Sequence, residues 1–134
     1  AFDAWSDLTN IKFTFLAGGG DADMDIDVAT VAEEPGLSGS TVGLARFFYG
    51  GGDNGLNDVG EIVRTDIYMD QGVTWSPDAE NSNLSFFAVL VHEIGHGLGL
   101  DHVNDESEIM NSYVAADDLG DGDVDGPDEL GVFL

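Results

Sequence analysis

The stretch Val91–His102, VHEIGHGLGLDH, holds all three histidines of a 134-residue chain. His92 and His96 are four positions apart. On a helix that spacing puts both imidazoles on one face, a turn apart, where they can share one metal ion. Glu93 points about 100° round the helix from His92, outside that shell but within reach of a water in an open metal position. Gly99 can end the helix in a left-handed conformation and turn the chain back. His102 then returns as a third nitrogen ligand. Three neutral imidazoles leave one position open on zinc, the arrangement of a catalytic rather than a structural centre. The nitrogen set reads as zinc, with copper, nickel or cobalt able to substitute in vitro.

Charge sets the next limit. The chain has 27 Asp and Glu against three basic residues, Lys12, Arg46 and Arg64, for a net charge of −24. Nucleic acid and anionic membranes are repelled by such a surface, so neither is an expected partner. The acids read either as a solvated surface suited to high salt or, in part, as calcium ligands. There is no cysteine, which removes disulfides, thiolate nucleophiles and thiolate metal ligands. Apolar residues make up 43%, enough for a folded core. No apolar run reaches membrane-spanning length, and no segment reads as a signal peptide, so any targeting or pro-segment is expected to lie outside this sequence.

The periodicity predicts a single α+β domain over residues 1–134. AFDAWSDL has helical spacing at Ala1, Phe2, Trp5 and Leu8. IKFTFL (11–16), DMDIDV (23–28), STVGLARFF (40–48) and EIVRTDIYMD (61–70) read as strands. In the second of these, Met24, Ile26 and Val28 alternate with acids that face water. Residues 49–60 form a Gly/Asn/Asp loop, and 75–85 a turn-rich connector. The long apolar helix covers 84–98, with Asn81, Ser82 and Asn83 as candidate N-caps. Beyond Met110 comes an acidic, Gly-rich tail, in which Pro127 suits the first turn of a short C-terminal helix.

HEIGHGLGLDH followed by Met110 in SEIMNSY resembles the metzincin signature, and the spacing from His102 to Met110 resembles the matrixins. The resemblance extends over most of the chain, through AFDAWSDLTNIKFTF, GGGDADMDIDV, GLA at Gly43, Leu44 and Ala45, and DIYMDQGVTWS. It implies a metzincin-like twisted mixed sheet with an active-site helix, a Met-turn and a short C-terminal helix. It also implies a zinc endopeptidase, secreted and monomeric. His92, His96 and His102 would hold zinc, and Glu93 would be general base and proton donor. Met110 would floor the site. Gly43, Leu44 and Ala45 would hydrogen-bond an extended peptide substrate through their backbone. Ala88, one turn before His92, would leave a specificity pocket open among Leu84, Leu90, Val91 and Tyr113. A bulky hydrophobic residue is therefore expected directly after the scissile bond.

The chain departs from the family at several positions. Tyr68 stands where matrixins have a histidine for a second zinc, so that second zinc is not expected. Ser112 replaces a proline after the Met-turn, and Val103 a Ser or Thr after the third histidine. The family's first strand precedes the first helix, and this sequence begins inside that helix, so the strand is expected to be missing. Asp121, Asp123 and Asp125 alternate before Gly126 as calcium loops do, but Val132 stands where such a loop ends in Glu. Asp70 with the GGGDNG loop resembles a second calcium region. The rival reading is a non-catalytic, metal-stabilised secreted binding module of the same fold.

Overall fold

A computed structural model describes residues 1–17, 21–50, 61–76, 84–105 and 108–112. Three strands, β1 (Met24–Ala29), β2 (Gly43–Tyr49) and β3 (Ile62–Asp70), form one sheet in the order β1-β3-β2. β1 runs parallel to β3 and β2 antiparallel to it, so the sheet is mixed. A short parallel pair, β4 (Trp75–Ser76) with β5 (Leu84–Ser85), leads into the long helix. Two helices, α1 (Phe2–Leu8) and α2 (Phe86–Gly97), complete the described α+β fold.

The period-two pattern of β3 decides which face is covered. Thr65, Ile67 and Met69 are buried, whereas Arg64, Asp66, Tyr68 and Asp70 fall on the opposite face. Val89, Val91 and Ile94 of α2 join Ile67 and Met69 in one core cluster, with Trp5, Ile109 and Met110. Burying a side chain of this size contributes about 1.5–3 kcal/mol each, which is what holds α2 on the sheet. Trp5 ties α1 to α2 as well, since its indole N–H donates to the Val91 carbonyl at 2.9 Å.

The register carries this facing across to the edge. Gly43 lies opposite Met69 and Ala45 opposite Ile67, so both face α2, while Leu44 lies opposite Tyr68 on the outer face. On that outer face Arg46 pairs with buried Glu34, and Arg64 with Asp66 at 2.6 Å. These are two of the chain's three basic residues, so most of the acidic charge has no local partner.

Two expectations are corrected. Residues 11–16 join no strand among the described residues. Phe13 packs on Phe2, with ring centroids 4.8 Å apart, while Ile11, Phe15 and Leu16 stay exposed. Alternation supplies the side-chain pattern, but a strand also needs a hydrogen-bonding neighbour. The second concerns the start of α2. Its cap is Ser85, whose hydroxyl accepts from the Ala88 N–H at 3.2 Å, rather than Asn81, Ser82 or Asn83, which lie outside the described residues. The expected C-terminal helix also lies outside them.

Candidate active site

α2 delivers His92, Glu93 and His96. The first two are 5% and 6% exposed, because their turn of the helix is pressed between the sheet and the 109–111 turn. The helix ends at Leu98, and Gly99 takes φ 92°, a conformation that a side chain disfavours. Leu100 N–H then donates back to the Gly95 carbonyl at 3.1 Å, reversing the chain. Three residues after Gly99, His102 faces the helix.

Nε2 of His102 lies 3.2 Å from Nε2 of His92 and 3.1 Å from Nε2 of His96. The opposite ring nitrogens fix the tautomers. Nδ1–H of His92 donates to the Ile109 carbonyl at 2.7 Å, and Nδ1–H of His96 to the Leu100 carbonyl at 2.8 Å. A carbonyl only accepts, so those Nδ1 atoms carry the protons, and the Nε2 lone pairs converge. Lone pairs at this distance repel one another unless a cation lies between them. Tetrahedral zinc with bonds of about 2.0–2.1 Å separates its ligand nitrogens by about 3.3 Å, so the trio fits that ion. Burial pushes the His92 imidazole down to about 4, partly offset by the Ile109 carbonyl, and burial also lowers that of His96. Both are therefore neutral near pH 7, the form that ligates. Among the described residues this is the one group of three ligating side chains close enough to hold a metal ion.

Glu93 lies outside that group and faces the edge strand. A side chain at position 43 would bring its Cβ within 2.6 Å of Glu93 Oε1 and 2.8 Å of Val89 Cγ1, so the carboxyl occupies space that only a glycine leaves. Burial raises the Glu93 pKa to about 7, and the Ala45 backbone N–H pulls the other way. A carboxyl poised near neutrality, beside three converging imidazoles, is suited to accept and return a proton.

The 109–111 turn forms the floor. Met110 is 4% exposed and lies against Gly95, between the two helical histidines. Val103 N–H donates to the Met110 carbonyl at 3.0 Å, and Val103 bridges to Asn111. The buried Asn111 amide donates to the carbonyls of Val103 at 3.3 Å and Asp105 at 3.0 Å. Sequence reasoning missed Asn111, Ser85 and the carbonyls of Ile109 and Leu100. A polar residue directly after the apolar pair Ile109–Met110 was the available signal for Asn111.

Other expected residues are not gathered here. Ala88 is 2% exposed and Val91 1%, with Val91 in the core cluster. Tyr113, Asp121, Asp123 and Asp125 lie outside the described residues, as does most of the GGGDNG loop. The Asp70 carboxylate accepts from the Gly72 N–H at 2.8 Å, closing the turn after β3.

A mixed sheet backed by a helix bearing two histidines and a glutamate, closed below by a methionine turn, is the arrangement of the metzincin fold. The matrixin (peptidase M10) family model matches residues 1–132, and the chain belongs to the matrixin family. It is 36% identical over 111 residues to the macrophage metalloelastase of Oryctolagus cuniculus, covering 82% of this chain and 22% of that protein. It is 31% identical over 133 residues to the interstitial collagenase of the same species, covering 94% and 25%. Matrix metalloproteinase-17 of Homo sapiens is 32% identical over 118 residues, covering 84% and 18%. The chain thus spans about a fifth to a quarter of the length of these curated relatives. Matrixins use a catalytic zinc, and His92, His96 and His102 are the group here able to hold one. No helix among the described residues is long and apolar enough to cross a membrane.

Proposed function

We propose that this chain is the catalytic domain of a secreted zinc endopeptidase, acting as a monomer on extended segments of protein substrates. The observation that carries the reading is the position of Glu93, buried against the edge strand directly after His92, whose Nε2 converges with His102 Nε2, as does that of His96.

His92, His96 and His102 would hold zinc through Nε2. When bound, the ion acts as a Lewis acid toward water and the scissile carbonyl. β2 pairs with β3 on one side, and among the described residues its other side is open, so a peptide can add there as a further strand. The backbone of Gly43, Leu44 and Ala45 would orient the peptide. Glu93 accepts a proton as water attacks the carbonyl carbon, then returns it to the departing amine as the C–N bond breaks. One peptide and one water thereby give a carboxyl and an amine. The relatives' names point to elastin-like and collagen-like proteins as substrate classes for those enzymes, and an extended, protease-accessible segment is the shared requirement carried to this chain.

The rival, a binding module without catalysis, leaves Glu93 unexplained. A buried carboxyl held near pH 7 costs stability and adds nothing to a purely structural metal centre.

Casein hydrolysis tests the reading. Cleavage should stop when zinc is removed by a chelator and return when zinc is restored. Cleavage that survives complete metal removal, or no cleavage by zinc-loaded protein, would overturn it.

A further inference from the structure

His92 and His96 are each fixed twice, by the helix and by a backbone carbonyl on Nδ1. His102 has neither support. It is exposed, it lies beyond the helix, and among the described residues no carbonyl accepts from its Nδ1. Its position therefore depends on the backbone of the segment that carries it. That segment is linked to the methionine turn by backbone bonds from Val103 N–H to the Met110 carbonyl and from Glu108 N–H to the Asp105 carbonyl at 3.3 Å, and by the Asn111 amide.

We propose that Asn111 is a positioning residue for the metal centre, holding His102 in ligand geometry by clasping the carbonyls of Val103 and Asp105. This rests on reading the three histidines as a zinc site. Asn111 is 6% exposed, so its amide donors face the protein and not water. Two donors on one planar group reach two carbonyls, one and three residues past His102, at 3.3 and 3.0 Å. The turn itself closes through Asn111 N–H to the Glu108 carbonyl at 3.0 Å, which sets where the side chain starts. The same turn presents the Ile109 carbonyl to His92. One short turn therefore orients one ligand through a main-chain acceptor and another through a side-chain donor. Loss of the clasp leaves 103–105 held only by the backbone bonds at Val103 and Asp105, and the looser His102 must then be ordered at the expense of metal affinity.

The test is a double-mutant cycle read as zinc affinity, by competition with a chromophoric chelator at fixed pH. Asn111→Ala should weaken zinc binding by about tenfold to a hundredfold, the range seen when groups orienting a ligand are removed. In a His102→Ala background the same substitution should change affinity by less than about twofold, because the residue it positions is gone. Unchanged affinity in Asn111→Ala, or an equal loss in the His102→Ala background, would overturn the proposal. Amide exchange of the metal-free protein gives a readout that does not depend on zinc. Val103 N–H should exchange faster in Asn111→Ala, while the Val91 amide inside α2 should not change. If wild type binds no zinc, the reading of the histidines fails, and exchange at Val103 still decides whether the clasp exists. Should Asn111→Ala not fold by far-UV circular dichroism, Asn111→Asp keeps the shape and removes both donors. Collapse of both variants would mark Asn111 as a folding element and end the proposal.

Discussion

The Ile109 carbonyl lies 2.7 Å from Nδ1 of His92, so the residue before Met110 holds the first histidine of the active helix. This contact joins segments 17 residues apart in sequence and fixes the tautomer that turns Nε2 toward His102. The methionine turn is thus a hydrogen-bonding platform as well as an apolar floor. Its backbone orients the metal site, while the Met110 side chain fills the space against Gly95.

The buried acid and the buried imidazole give opposite pH dependences in the metal-free protein. Glu93 has its folded value raised to about 7 from an ordinary 4.5, so its contribution is present below about pH 4.5 and lost as pH rises through 7. His92 has its value lowered to about 4 from 6.5, so its contribution is present above about pH 6.5 and lost as pH falls toward 4. Glu93→Gln removes only the first. The stability of Glu93→Gln relative to wild type should rise between about pH 5 and pH 8, by up to about 3 kcal/mol. Urea unfolding of the two metal-free proteins at both pH values measures this. A difference that does not change with pH would contradict the burial of the carboxyl.

Salt should stabilise the fold. With a net charge of −24 and two of three basic side chains already paired, most acidic charges repel one another. Screening shortens from about 10 Å at 0.1 M to about 3 Å at 1 M salt. Thermal melts should therefore shift upward by about 4 °C or more between low and molar sodium chloride. A flat or falling midpoint would mean that the acids are compensated locally, with calcium the natural counter-ion to test next.

Gly43→Ala probes the seat of Glu93. The added Cβ would meet Glu93 Oε1 at 2.6 Å and Val89 Cγ1 at 2.8 Å, so the carboxyl must move. Overpacking of this kind costs about 1–3 kcal/mol of stability. We expect kcat to fall by about tenfold or more while zinc stoichiometry stays near one, because no ligand is displaced. Steady-state kinetics on a peptide substrate with parallel metal analysis gives both numbers. Wild-type kcat would show that β2 does not seat the carboxyl.

The histidine cluster was the most legible part of this chain, because ligand spacing on a helix is a local property and the glycine that reverses the chain is local too. His92, His96, Gly99 and His102 fall where the spacing puts them. Strand faces were legible in part: Met24 and Ile26 turn inward while Asp25 and Asp27 face water, but Val28, expected inward, is 48% exposed at the end of β1. What failed depends on distant partners. Residues 11–16 alternate like a strand, yet alternation says nothing about which neighbour supplies hydrogen bonds. Ala88 shares a face with His92, and its 2% exposure is a property of the packed fold that helix spacing alone does not give. The Asn111 clasp reaches carbonyls only six and eight residues back, but a polar residue after the methionine does not by itself say which carbonyls it meets.

The most direct test of the account compares wild type with Glu93→Gln, each loaded with zinc and assayed on the same peptide. Glu93 lies outside the three-histidine group, so both proteins should hold one zinc per chain. Cleavage should fall by about 10²–10⁴-fold in the variant, the contribution typical of a positioned general base. A variant that keeps its zinc and cleaves at the wild-type rate would contradict the account.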